Sequence, residues 1–218
     1  MRPSRIIILC LAFAFIVSGC AHDTEKILPA QDLYNEAAQF AKNGDVEKAA
    51  DTFMQVRTYY PGHDLARKAI LATADLYYEK EDYDLALKNY EEFRLLYPTD
   101  LDAGYCLYRI GMCYYKQQGT ADRDQSKTTR AIQSFEGFIR AYPNSPYIED
   151  AATKLKESKS LLAQHYLYIG KFYLKNGNKA AACRRFNSIK QQYPDADLGE
   201  DIDSLISRAC TTSAQSPN

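Results

Sequence analysis

The chain has 218 residues, 27 basic against 28 acidic side chains and a formal net charge of −1. That balance excludes the basic footprint expected of a nucleic-acid binder, and the length exceeds that of a typical single compact domain. Tyrosine is abundant, at 18 residues, and tryptophan is absent.

The first twenty residues stand apart. MRPSR carries Arg2 and Arg5, IIILCLAFAFIV (6–17) is apolar, and SGC follows. Twelve apolar residues are too few to span a bilayer as a helix. A basic start, a short apolar core and small residues before a boundary make a secretory signal peptide over 1–19. The ending Val17-Ser18-Gly19-Cys20 resembles a bacterial lipobox, which implies cleavage before Cys20 and lipid on that residue. One acyl chain anchors a protein only marginally and several anchor it stably. By the same resemblance, Ala21 in place of Asp favours export to the outer membrane. Cleavage removes two arginines and no acids, so the mature chain stays weakly acidic. A lipidated linker then covers 20–29, and helical patterning begins near residue 30.

From there one pattern recurs. Helical stretches run into Tyr-Pro and then turn residues at VRTYYPGH (56–63), FRLLYPTD (93–100), FIRAYPNS (138–145) and IKQQYPDA (189–196). Pro61, Pro98, Pro143 and Pro194 lie 37, 45 and 51 residues apart. Twelve residues before each proline is Ala49, Ala86, Ala131 or Ala182. Eight before it is Phe53, Tyr90, Phe135 or Phe186, and five before it is Val56, Phe93, Phe138 or Ile189. These offsets place three side chains on one face of a 3.6-period helix. An earlier helix in each unit reads bulky, small, aromatic: Leu33, Ala37, Phe40; Ile70, Ala74, Tyr77; Leu107, Gly111, Tyr114; and Tyr166, Gly170, Tyr173. Turns such as NGD (43–45) and NGN (176–178) join the two helices. Proline cannot continue a helix and drives the residue before it out of the α region, so each Tyr-Pro ends a unit.

The pattern resembles the tetratricopeptide repeat, a helix–turn–helix unit of about 34 residues. The resemblance implies an all-α fold: a right-handed superhelical solenoid of four full repeats plus a partial fifth or capping helix, over 30–210. The units depart from one another in two places. Repeat three carries an insertion in KQQGTADRDQSKTT (116–129). Repeat four is entered by a long helical run from Pro146 to about Lys175, with Pro146 suited to a first turn. After Pro194, GEDIDSLISRAC reads as a capping helix, with its acids suited to a helix start, and a flexible tail covers 211–218.

Two of the six cysteines are placed by the leader, Cys10 inside it and Cys20 at its end. Cys106 and Cys113, seven apart on one helix, are too distant to bond and suit small buried positions. Cys183 and Cys210 can meet only if the last helix folds back on repeat four. No cysteine pair has metal-ligand spacing, and His22, His63 and His165 are isolated. The sequence therefore carries no sign of a metal, a cofactor or an enzyme.

The lipobox, the repeats, the ADRDQ loop and AIQSFEGFIRAYPNSPY together resemble the BamD family of lipoproteins. That family serves the machinery that folds β-barrel proteins into the bacterial outer membrane. The resemblance implies a lipid-anchored scaffold at the periplasmic face of the outer membrane. Its expected partners are the barrel-forming subunit, companion lipoproteins and unfolded outer membrane proteins. A different tetratricopeptide envelope lipoprotein, serving envelope maintenance or pilus assembly, is the alternative. The family's partner-binding arginine matches Arg185, with Arg184 one register step away. The family's N-terminal repeats receive a substrate signal that ends in an aromatic residue. Groove positions expected to meet it are Tyr34, Lys42, Lys68, Leu71, Asp75, Tyr78, Tyr105, Tyr108, Arg109, Met112 and Tyr115. Tyrosine offers apolar area with a polar tip, and Arg109 is a candidate partner for a terminal carboxylate.

Overall fold

A computed structural model describes residues 27–210; the leader, Cys20 and the tail lie outside them. The described residues form nine helices and no strand. They are α1 (Ala30–Asn43), α2 (Val46–Tyr59), α3 (Asp64–Glu79), α4 (Tyr83–Leu96), α5 (Ala103–Lys116), α6 (Ser126–Ala141), α7 (Ile148–Lys175), α8 (Lys179–Gln192) and α9 (Ile202–Cys210). Each packs chiefly on its neighbours in sequence, as expected of a solenoid in which a repeat touches only the next. Pro146 lies two residues ahead of α7 rather than in its first turn, because Tyr147 is the N-cap.

The second helix of every repeat is built alike. All twelve recurring side chains, from Ala49 and Phe53 to Phe186 and Ile189, are no more than 2% exposed. Each aromatic lies against the small residue of the first helix. A Cβ on Gly111 would sit 2.7 Å from Phe135 Cε1, and one on Gly170 would sit 2.4 Å from Phe186 Cε1. Glycine therefore sets the helix separation in repeats three and four.

The Tyr-Pro ends share one geometry. Tyr60, Tyr97, Tyr142 and Tyr193 have φ of −132°, −130°, −132° and −136°. Each donates its N–H to the carbonyl four residues back, and its own carbonyl accepts from the residue three ahead at 3.0–3.2 Å. The proline at the second position favours such a turn and blocks helix continuation.

The turns inside repeats one, two and four also match, with one exception in residue type. Gly44 and Gly177 have φ of 84° and 78°, and Glu81 holds the equivalent place at φ 62°. A side chain in the left-handed region costs roughly 1–2 kcal/mol, part of which glycine returns through its greater freedom when unfolded. Glu81→Gly is expected to raise stability by about 0.5–1 kcal/mol, read as a higher urea midpoint with an unchanged slope. A lowered midpoint would contradict the conformation of this turn.

The repeat-three insertion becomes the loop 117–125. Gln125, 7% exposed, braces it by donating to the carbonyls of Thr120 and Arg123 and accepting from the Thr128 hydroxyl. Gln118 donates to Ser158 Oγ at 2.7 Å, and the Ala121 carbonyl lies 2.6 Å from His165 Nδ1. The loop is thereby tied to α7.

At the C-terminal end, α9 does fold back on α8. Cys183 and Cys210 are disulfide-bonded, with their Cα atoms 5.1 Å apart. Cys106 and Cys113 are free and buried. Burial pushes each thiol up to about 12, so both stay protonated and behave as small apolar residues.

Candidate functional site: the face of the first helices

The first helices α1, α3 and α5 carry the expected groove positions, and the structure divides them into open, engaged and buried. Leu71 and Tyr105 are half-buried, each with one side left open. They line a cavity of about 710 Å³ together with Leu101, Gly104, Pro143, Pro146 and Tyr147. The two inter-repeat turns at 97–102 and 142–147 supply most of this lining. Gly104 permits it: a Cβ there would sit 2.9 Å from the Tyr142 ring. The Tyr105 and Tyr147 ring centroids lie 5.6 Å apart, and Leu101 stands 98% exposed at the rim. Leu101, Gly104, Pro143, Pro146 and Tyr147 were absent from the expected groove. Their signal was the recurring Tyr-Pro corner, which reads locally as a stop and not as a wall.

Beside the cavity lies a polar network. Asp75 accepts from the hydroxyls of Tyr90 at 2.5 Å and Tyr105 at 2.7 Å. Burial, followed by the neighbouring Asp75, pushes both phenols upward, which keeps them protonated as donors. Arg109 donates to Tyr90 Oη at 3.0 Å and to Glu79 at 3.3 Å. Its guanidinium lies 3.7 Å from Asp75 and 3.6 Å above the Tyr78 ring. The expectation that Arg109 awaits a substrate carboxylate is therefore corrected: two carboxylates and a ring already hold it, and its side chain is 15% exposed.

Tyr108 and Met112 are also corrected. Both are 9% exposed and belong to the core formed with Phe135, Phe138 and Ala151. The Tyr108 ring stacks on Tyr147 at 4.7 Å, and its hydroxyl donates to Asp150 at 2.7 Å. One heptad on, Tyr115 donates to Glu157, and Lys154 lies 4.9 Å over its ring. The two tyrosines, seven apart on α5, meet two carboxylates seven apart on α7. They clasp the long helix instead of facing a ligand. α7 covers them because its first turns lie over α5 and α6.

The remaining candidates are placed singly. Tyr34 is half-buried, edge-on to Phe53 at 5.2 Å. Lys42 is exposed, and Lys68 pairs with Asp64 at 2.7 Å. On α8, Arg184 is exposed. The Arg185 guanidinium rests 5.5 Å from the Tyr166 ring centroid, with no carboxylate partner among the described residues. Those residues contain no cluster of metal-ligating side chains and no helix long and apolar enough to cross a membrane.

Residues 27–206 match the family model described as "YfiO: Outer membrane lipoprotein". The chain is 31% identical over 198 residues to the outer membrane protein assembly factor BamD of Caulobacter vibrioides, covering 88% of this chain and 65% of that protein. It is 31% identical to the factor of the same name from Pasteurella multocida, over 96% of this chain and 85% of that one. The Rickettsia prowazekii factor is 28% identical over 88% and 78% of the two chains. A helical-repeat scaffold matched along nearly its whole described length, by the family model and by these relatives alike, belongs to the YfiO (BamD) family of outer membrane lipoproteins.

Proposed function

We propose that this chain is a lipid-anchored binding scaffold of outer membrane protein assembly, and not an enzyme. The relatives' shared name supports the assembly role. The leader and Cys20 support an anchor at the periplasmic face of the outer membrane, and incorporation of labelled palmitate that Cys20→Ser abolishes would verify it. The Cys183–Cys210 disulfide suits an oxidising compartment.

The observation that carries the reading is the cavity at Leu71, Tyr105 and Tyr147. The cavity combines aromatic and apolar side chains with Asp102, Asn144 and Ser145 and has no cation in its lining; Arg67 and Arg109 are both paired with carboxylates. It therefore suits the side chains of an extended, unfolded outer membrane protein better than a terminal carboxylate. An aromatic ring would enter between Leu71 and Tyr147. Micromolar binding, about −8 kcal/mol, suits a scaffold that must release its client.

A synthetic peptide ending in an aromatic residue is expected to bind the purified chain. Leu71→Asp and Leu101→Asp should each weaken it at least about five-fold, roughly 1 kcal/mol, with helicity retained. Tyr115→Phe should have no effect. Loss of binding in Tyr115→Phe but not in Leu71→Asp would move the site to the α5–α7 seam, and no binding by the unaltered chain would end the proposal.

The barrel-forming subunit and companion lipoproteins are the proposed partners of the α8 surface around Arg185 and Arg184. An arginine stacked on an aromatic and lacking a carboxylate can pair with a partner's acid. Arg185→Glu is expected to reduce co-purification of an integral barrel protein from detergent-solubilised envelopes several-fold. Unchanged recovery would place that interface elsewhere.

A further inference from the structure

One face of the repeat-four entry helix is bare where repeat three is covered. α7 has 28 residues and α6 has 16. The two run back to back from the turn they share, so α7 extends about 18 Å past the far end of α6 at 1.5 Å per residue. On α5, the stripe Cys106, Ile110 and Cys113 is 0%, 4% and 0% exposed, in one core with Leu87 and Tyr90 of α4. Counted from Gly111 and Gly170, the small residues of the two repeats, the same stripe on α7 is His165, Ile169 and Phe172. None of these is buried. Phe172 is 57% exposed, and Tyr168 beside it is 53% exposed.

The loop 117–125 covers only the start of this stripe, ending where the Ala121 carbonyl meets His165. Beyond it the second helix of a preceding repeat would lie, and α6 is too short to reach. Large apolar side chains left open on one helix face mark an interaction site when they are contiguous. The occupant's form follows from the register: the equivalent stripe of repeat three is covered by α4, an amphipathic helix of 14 residues. Its charge follows from Lys175, one turn past Phe172 on the same side. Lys175 is exposed and has no ion pair among the described residues.

We propose that an acidic amphipathic α-helix of a second protein packs on the overhang of α7, its apolar seam on Tyr168, Ile169 and Phe172 and a carboxylate on Lys175. About three turns of helix fill the bare length. That contact is small beside a stable interface of about 1,600 Å² in total, so it reinforces a larger docking surface and does not act alone. The inference rests on the scaffold reading but not on the cavity.

The experiment replaces Phe172 with the photoreactive p-benzoyl-L-phenylalanine in the full-length chain, irradiates intact cells and identifies the cross-linked peptide by mass spectrometry. The expected product joins position 172 to an acidic amphipathic segment of one other protein. Its yield falls at least about five-fold, roughly 1 kcal/mol, with Lys175→Glu and with Tyr168→Asp. Both positions are exposed, so circular dichroism should show the fold unchanged. Leu71→Asp should leave the yield untouched, which separates this surface from the cavity. Four results overturn the proposal: cross-links to lipid alone, cross-links to another copy of this chain, a yield no greater than from the same photoprobe at Gln133, or a yield indifferent to Lys175→Glu.

Discussion

Gly170→Ala is expected to destabilise the fourth repeat by about 1–3 kcal/mol, the usual range for overpacking a filled core, although alanine is the better helix former. In an exposed helix interior the same change gains about 1 kcal/mol. The sign reverses because an added methyl would lie 2.4 Å from Phe186 Cε1 and 2.8 Å from its Cδ1. Phe186 is fully buried, so its ring has nowhere to move. Gly137 supplies the control. It sits in α6 with nothing within 4 Å of a built Cβ, and Gly137→Ala should gain roughly 0.5–1 kcal/mol. Urea unfolding of the two variants should therefore give shifts of opposite sign. Stabilisation by both would mean that α7 and α8 lie farther apart than the structure places them. Repeats one and two bear on the size of the cost. They carry Ala37 and Ala74 at this position beside Phe53 and Tyr90, all 2% exposed or less, so the repeat can be built around a methyl when the helices are spaced for it.

Cys210→Ser is expected to release α9 while the first three repeats stay folded. α9 has nine residues, and an isolated helix shorter than about 12–15 residues is marginal in water. Leu205 and Ala209 are its buried side chains, and Lys190–Asp203 at 2.6 Å is an exposed pair of small worth. The disulfide closes a loop between residues 27 apart, for which the chain-entropy model gives about 3–4 kcal/mol. Counted back from the Tyr-Pro, Cys183 stands where Leu87 stands in repeat two, and Leu87 packs with Ile110 and Cys113 of the next helix. The covalent bond thus occupies a position that elsewhere joins consecutive repeats by apolar contact. Because stability in a solenoid is local, hydrogen exchange should show amides 202–210 losing protection in Cys210→Ser, and in the reduced wild type, with α1–α6 unchanged. Protection retained in both would show that apolar packing alone holds the helix.

The sequence by itself determined the repeat. Alanine, aromatic and bulky residues at fixed distances before each Tyr-Pro are a short-range record, because helical periodicity and proline stops are properties of neighbouring residues. All twelve of those second-helix side chains are core. The same register places Cys106 and Cys113 inside and Leu71 and Tyr105 on the open side.

Only the tertiary structure decided which half-exposed first-helix residues a later element covers. Tyr105 and Tyr108 look alike in sequence. One lines a cavity and the other is clasped by Asp150, 42 residues away. Arg109 looks like a free cation until Asp75, Glu79 and Tyr90 are brought round it by two neighbouring helices. The Cys183–Cys210 bond depends on whether α9 turns back onto α8, and the bare stripe at Phe172 depends on α7 outrunning α6. In each case the deciding quantity is the placement of one repeat on the next. Packing across the whole interface, the nine-residue loop 117–125 and the relative lengths of two helices set that placement, and no short window of residues contains it.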